Sequence, residues 1–463
     1  MASRKDQLHS YQFMLQRAIS ALIMRETDPA QSPLRRGVGA AFVGLMVTVI
    51  VAAAFGIYGL LTKTGSARWK VDNAVVVEKE TGAAFVYLDG TLTPALNYTS
   101  ALLLAGQTPP KTFTVPRNSL RDVPRGLLVG IPGAPTALPN RKAVLASVWT
   151  ACALPARTSA GQNTMITSLL VGGRAASARP LGETGLYLRN ADTRAEYLVW
   201  HGHRYELVGA TVPSALFGSG TRATEVGSAW LDTLPEGDPI REIKVPDAGE
   251  ESTAVPGRDV GDVLADRRDS GETDYLVLDD GLARLSALQL DLLRAGRAVE
   301  PEPVPAAEIT AARKSNRLES DSPADQQAPT RSPKLADAPA GFGVCAAFEG
   351  EDGPPTVAVL PDGGDPEAGT PTTARTGDGA VLADRILVPG GSVAVVRARE
   401  TGTYSVVTDL GVRFPVSSAE TLGTLGYDAG NAATLPAAVL DRVPAGPALS
   451  PESAVLPASP GER

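Results

Sequence analysis

Histidine is nearly missing from this chain: His9, His201 and His203 are all that 463 residues contain. Cysteine is scarcer still, with Cys152 and Cys345 alone. No set of His and Cys at metal-ligand spacing exists, and no G-x-S-x-G elbow offers a nucleophile. His201-x-His203 would put two rings on one strand face, but the pair flanks Gly202, where a hairpin turn is expected. We read both as turn residues, and expect no metal, no cofactor and no catalytic residue. No Gly-Lys pair occurs anywhere, which excludes the G-x-x-x-x-G-K-[ST] phosphate loop. Aromatic residues make up only 5%, against 47 Gly and 37 Pro. That balance favours short elements with many turns over long helices.

Negative charge is scarce at one end only. Residues 1–70 hold nine Lys/Arg and three Asp/Glu; the rest holds 34 and 48, a net of −14 within a chain total of −8. A body this acidic is a poor partner for phosphate backbones, so no nucleic acid is expected.

One long apolar run is present. No charge interrupts residues 37–62, enough to cross roughly 30 Å of hydrocarbon as a helix. Thirty-six residues precede it and no small-residue cleavage site ends it, which argues against a secretory leader. Six Lys/Arg lie ahead of it, with Arg35 and Arg36 at its edge; only Lys63, Arg68 and Lys70 follow closely. The positive-inside rule puts the arm, 1–36, in the cytoplasm and everything after about residue 65 outside. In the arm, Leu8, Tyr11, Leu15, Ala18 and Leu22 recur at helical spacing, and Pro29 ends the pattern. A helix this short is marginal alone, so the stripe of Leu8, Tyr11, Leu15 and Leu22 is expected to rest on a partner protein or on the bilayer surface. Ala40-x-x-x-Gly44 and Ala52-x-x-x-Gly56 would let another helix approach the span.

The exported part repeats itself. TGAAFVYLDGTLTPAL (81–96) and TGTYSVVTDLGVRFPV (401–416) each read as two strands around Asp-Gly or Asp-Leu-Gly, a hairpin signal. YLVWHGHRYEL (197–207) and YLVLDDGLARL (275–285) read alike. An Ala/Leu-rich stretch follows the first, third and fourth: TSALLLAG, SALQLDLLRAG and SAETLGTLG. A closing marker, Leu-x-x-(Val/Leu)-Pro-x-Gly, then appears at 120–126, 231–237 and 440–446. Its spacing from the turn is almost constant. Four hairpin-helix modules are expected: 71–140, 181–250, 255–297 (degenerate, without the marker) and 399–450. One such unit buries too little to stand alone, so neighbours should pack together.

Segments 141–180 and 298–398 are expected to build a β-rich core, from VLASVWTAC (144–152), 340–348 and RILVPGGSVAVVR (385–397). Within it, 301–340 and 349–379 are dense in Pro, Ala, Asp, Glu, Ser and Thr, and read as flexible insertions; the tail, 451–463, reads likewise. Cys152 and Cys345 both fall in core segments. An even count in an oxidising compartment predicts a disulfide, with two separate buried thiols as the alternative.

SYQFMLQR (10–17), the Arg-Arg pair, one span, the exported TGAAFVYLDGTLTPALNYTSALLL, VPRGLLVGIPGAP (123–135), VWTAC and VPAGPALS (443–450) together resemble the EccB family of actinobacterial type VII (ESX) secretion systems. The resemblance implies an α+β protein: one transmembrane helix, then an elongated exported domain of four hairpin-helix repeats around a disulfide-linked core. It implies a structural subunit of an inner-membrane secretion complex that self-associates and meets EccC, EccD and EccE. Some members are described as ATPases, which would make ATP a cofactor; the missing phosphate loop speaks against that here. A cell-wall-binding module that grips peptidoglycan from a membrane stalk is the alternative from another class.

Overall fold

The computed structural model describes residues 3–24, 33–63, 67–145, 147–268, 271–350, 353–373, 375–376, 379 and 381–458. Two helices open the chain, α1 (Arg4–Met24) and α2 (Pro33–Lys63). The expected helix stop at Glu26–Pro29 lies outside the described residues. Gly37–Tyr58 within α2 is long and apolar enough to cross a membrane, with a mean hydropathy of 2.5, and none of it is buried.

The body is β-rich with short helices. Its first sheet holds β1 (Ala74–Glu78), β2 (Ala84–Leu88), β3 (Thr91–Ala95) and, after α3 (Tyr98–Ala105), β4 (Thr112–Val115), in the order β3-β2-β1-β4. The β2–β3 turn is the predicted one: Asp89 and Gly90 both take positive φ, 47° and 80°, as a type I′ hairpin requires. The chain then lays down β5 (Trp149–Arg157), β6 (Asn163–Val171) and β7 (Arg179–Pro180). A second small sheet follows: β8 (Leu186–Asn190), β9 (Glu196–Trp200), β10 (His203–Val208), α4 (Val212–Phe217), β11 (Thr224–Val226), α5 (Ser228–Leu231) and β12 (Ile240–Arg241). The third has β13 (Val263–Arg268), β14 (Gly271–Val277), β15 (Leu282–Leu285), α6 (Ala287–Gly296), β16 (Glu302–Pro303), α7 (Ala306–Ala311) and β17 (Lys314–Ser315). Then come β18 (Gly343–Phe348), β19 (Thr356–Leu360), β20 (Thr370–Pro371) and β21 (Arg385–Leu387). The fourth has β22 (Val393–Ala398), β23 (Tyr404–Thr408), β24 (Arg413–Val416), α8 (Ala419–Thr424), β25 (Ala433–Leu435) and α9 (Ala437–Leu440), and α10 (Pro451–Ala454) ends the chain's elements.

All four small sheets share one plan. Three strands form an antiparallel meander, and a strand reached through a helix returns parallel to the first. A fifth segment then runs parallel to the third strand. In three sheets that segment is the Pro-x-Gly marker. Leu92 N–H donates to Pro124 and accepts from Gly126 N–H at its carbonyl; Arg204 does the same with Pro235 and Gly237, and Arg413 with Pro444 and Gly446. In the third sheet, Leu282 N–H donates to Arg313 instead, and Ser315 stands beside Ala283.

The sheets pack in pairs. One core joins Val75, Val86 and Leu102 of the first sheet region to Val395, Phe414 and Leu422 of the fourth. Another joins Val212 and Leu216 on α4 to Leu288 and Leu292 on α6. Between them lies a seven-stranded sheet, β20-β21-β6-β5-β18-β19-β7, whose core includes Trp149, Leu169, Val344 and Phe348.

Several expectations are corrected. The 301–340 stretch is not a flexible insertion: β16, α7 and β17 complete the third sheet, and Val304 and Ile309 are buried. Its remainder is held by main-chain bonds, from Asp238 to Gln326, Leu288 to Thr330 and Gly185 to Lys334. The third sheet therefore extends to Ser315, past the expected bound at 297. Within 349–379, β19 is a buried strand of the central sheet. Val393–Ala398, expected in the core, is the first strand of the fourth sheet. The tail is docked as far as residue 458: Ala454 is buried, Pro457 pairs with Val129, and Ala458 N–H donates to Leu128. Composition averaged over a window hides single apolar anchors and strand-edge bonds, which is why these stretches read as loose.

Candidate functional site

The predicted turn histidines sit in the β9–β10 hairpin, with His201 at φ 48° and Gly202 at 78°. His203 is buried, its Nδ1 3.2 Å from the His201 carbonyl oxygen. His201 stacks on Trp200 and stands 3.3 Å from the Glu183 carboxylate. Among the described residues, no group of three or more His, Cys, Asp or Glu is arranged to hold a metal.

The two cysteines meet. Cys152 on β5 and Cys345 on β18 are register partners in the central sheet and form a disulfide. Both are buried, with Leu154 and Leu360 around them. Strand β5 precedes the second sheet and β18 follows the third, so the bond ties the entry and exit of that pair. One residue from the cysteine, the Ala151 carbonyl accepts a 2.9 Å bond from Trp230 Nε1 of α5. Further along the sheet, Asp384 accepts from Thr167 N–H at 2.7 Å.

Several ionisable groups in the body bond across elements of the fold. The Arg117 guanidinium beside Glu78 holds that carboxyl below its usual range. Ser228, through its hydroxyl and its N–H, does so for Asp192. Arg258 bridges Glu302 and Glu308 at 2.8 Å each, joining β16 to α7. Burial pushes Tyr205 up to about 12, and its hydroxyl has no hydrogen-bond partner among the described residues. Burial raises Tyr427 further, although its hydroxyl donates to the Pro139 carbonyl at 2.7 Å.

Exposed apolar surface marks the remaining candidates. On α1, Leu8, Tyr11, Leu15 and Leu22 are 56, 65, 48 and 87% exposed. Phe13 and Met14 are also exposed and lie off that stripe. On α2, a Cβ at Gly44 or Gly56 would meet nothing within 4 Å, so the small-residue face is open. A third surface escaped the sequence reading. Leu96, Leu127, Leu128, Val455 and Leu456 are all exposed, and backbone bonds gather them: Leu96 to Val129, Gly130 to Leu456, Ala458 to Leu128. Only the pairing of the C-terminal segment with 128–130 creates this patch, and no local pattern announces it.

The chain is similar over its length to known proteins. The ESX-2 secretion system ATPase EccB2 of Mycobacterium tuberculosis is 29% identical, over 98% of this chain and 94% of that protein. The ESX-1 secretion system ATPase EccB1 of the same organism is 26% identical, over 99% and 96%. Among solved structures, a chain of an intact ESX-5 inner membrane complex matches all of this chain and 97% of its own length, with a TM-score of 0.63 at 22% identity. The EccB3 dimer from the ESX-3 core complex matches 83% of this chain and 100% of its own, with a TM-score of 0.62 at 23% identity. These two likenesses carry the fold. The family model described as type VII secretion system ESX-1, transport TM domain B, matches residues 1–459, and the chain belongs to that family, EccB.

Proposed function

We propose that this chain is a structural subunit of a type VII secretion complex in the inner membrane, where it braces and multimerises the envelope-side part of the machine. One observation carries the reading: a fully exposed apolar helix, Gly37–Tyr58, links a short arm to a large β-rich body. The arm faces the cytoplasm and the body faces outward, as the arginines ahead of the span indicate. The body is built of four repeats of one module, a reading supported by the strand plan common to the four small sheets. Cys152–Cys345 then holds the second and third repeats on the core.

The partners are membrane subunits of the EccC, EccD and EccE type, the bilayer and further copies of this chain. Self-association is supported by the Leu127, Leu128, Val455 and Leu456 patch. The α1 stripe supports a partner contact, since covering each Leu contributes roughly 1.5–3 kcal/mol. The chain needs no cofactor in this role and hydrolyses no ATP. The test is Tyr11→Asp with Leu15→Asp. Native gels of solubilised membranes should show loss of the high-mass band while α2 keeps the protein in the membrane. An unchanged band would mean that the stripe only lies on the bilayer. Retention by cell wall alone, without co-purifying membrane subunits, would replace this reading with a peptidoglycan-binding one.

A further inference from the structure

The first sheet differs in sign from the rest of the body. Residues 67–126 hold seven Lys/Arg against five Asp/Glu, a net of +2, whereas the chain beyond residue 70 carries −14. Most of these cations are also unpaired. Among the described residues, Lys70, Lys79, Lys111, Arg121 and Arg125 form no ion pair, while Arg117 pairs with Glu78. Of the other carboxylates, Glu80 accepts from Arg117 N–H and Asp72 from Asp89 N–H, which leaves Asp89 and Asp122 as counter-charge. Register pairs Val76 with Phe85, so these two side chains and Tyr87 stand on one side of the sheet. Trp69 and Leu120 pack there with them, in a core separate from the one shared with the fourth sheet. Two cations lie over this face. Lys70 Nζ is 5.6 Å from the centre of the Trp69 ring, and the Arg125 guanidinium is 4.7 Å from that of Phe85. A third, Arg121, directly follows Leu120, and all three are exposed.

The same face receives the chain from the apolar helix. Helix α2 ends at Lys63, the first charge after the apolar run, and Ala67 lies four residue steps on. Four steps reach at most about 14 Å. Trp69, two residues later, is 1% exposed in the core of that face. A headgroup layer is about 5–8 Å thick on each side of a bilayer, and its field extends about 10 Å further at 0.1 M salt. A stretched linker would put the face at the limit of that field, and a relaxed one inside it. We propose that the Trp69 face of the first sheet lies on anionic, phosphate-bearing lipid headgroups of the bilayer that its own helix crosses. The inference rests on the reading of Gly37–Tyr58 as a membrane span. Lys70, Arg121 and Arg125 supply the attraction, and neutralising each should weaken the contact about fivefold. The short linker keeps the face at high effective concentration over the headgroups.

The experiment places the full chain in lipid nanodiscs of phosphatidylcholine alone or mixed with phosphatidylglycerol. A fluorophore on a cysteine introduced at Asn118, exposed in the same turn as Arg117, reports energy transfer to a headgroup-labelled lipid. A second label at Ser214, in the second sheet region, is the control. Transfer from 118 should rise when phosphatidylglycerol is added and fall back in about 1 M salt, while transfer from 214 stays level. Lys70→Gln with Arg121→Gln and Arg125→Gln should abolish the rise with an unchanged circular dichroism spectrum. Should that variant misfold, the lipid and salt comparisons on the parent still decide. Equal transfer from 118 in the two discs, or an equal rise at 118 and 214, would overturn the proposal. So would a rise that the charge variant retains. Loss of the high-mass native-gel band by that variant, with no effect of lipid composition, would overturn it in favour of an acidic protein partner. Release of the parent from membranes by alkaline carbonate would instead refute the span itself.

Discussion

Gly446→Ala is a one-carbon change whose cost can be worked from the structure. A Cβ at 446 would lie 2.3 Å from Cε1 and 2.6 Å from Cδ1 of Phe414. That ring is buried between the first and fourth sheets, so it has nowhere to turn. The glycine is also held from the other direction, because its N–H donates to the Arg413 carbonyl at 2.8 Å. Either the ring or the strand must shift, and forced overpacking of this kind costs about 1–3 kcal/mol. Gly237→Ala meets the same obstacle, with Tyr205 Cε1 2.2 Å away and the ring fully buried. Gly126→Ala is the internal control. Its nearest neighbour is the Thr93 hydroxyl at 3.1 Å, a small group that can yield. Thermal unfolding of the full chain in detergent, followed by tryptophan fluorescence, should rank the three. Gly446→Ala and Gly237→Ala should melt several degrees below the parent, with Gly126→Ala within about 2 °C of it. In a Phe414→Ala background, Gly446→Ala should cost at least about 1 kcal/mol less, a coupling that only direct contact produces. Equal melting of all three, or a Gly446 cost indifferent to residue 414, would refute the reasoning.

Mass spectrometry of non-reduced, membrane-derived protein should find the Cys152 and Cys345 peptides linked; free thiols at both positions would contradict the bonded pair. Acid should destabilise the body. Asp192, held down by Ser228, and Asp266, held down by Arg268, have folded pKa values below their unfolded ones, so their stabilisation is present above the unfolded value and is lost as pH falls through the folded one. Melting temperature should therefore drop between about pH 5 and pH 3, and Asp192→Asn should flatten part of that slope. Impermeant thiol labelling of intact spheroplasts should reach a cysteine introduced at Ser214 and miss one at Asp28; the reverse would invert the topology. Purified chain should release no phosphate from ATP above a buffer control, and activity abolished by a point substitution would show otherwise.

The hairpins were the most legible part of the chain. Asp89-Gly90 and His201-Gly202 adopt the same pair of positive φ values, so a local signal matched a local structure. The span was legible for the same reason: its length and lack of charge need no partner segment to interpret. The central sheet was legible only as two sets of β-forming runs. That β5 and β18 meet across 193 residues was signalled only by Cys152 and Cys345; the antiparallel register that pairs Trp149 with Phe348 is a property of packing. The 301–340 stretch failed for the opposite reason. Its composition is that of a loop, yet Val304 and Ile309 supply two apolar anchors, and the Arg258 clamp on Glu302 and Glu308 fixes the strand and helix that carry them.

The missing marker in the third sheet follows from the same contact that makes Gly446 sensitive. The residue facing the fifth segment is Tyr205 in the second sheet, Phe414 in the fourth and Thr93 in the first. Each is larger than Ala283, which holds the corresponding place in the third. Where the facing side chain is an aromatic ring, the chain passing over it has no room for a Cβ, and glycine is required. Over Ala283 there is room, so Ser315 stands where the other sheets have glycine. It is buried, and its hydroxyl lies 3.1 Å from the Asp280 carboxylate. Arg313 likewise replaces proline, since only its carbonyl is needed to accept from Leu282. The third sheet therefore has the strand plan without the marker, because Ala283 on the facing strand leaves room that Tyr205 and Phe414 do not.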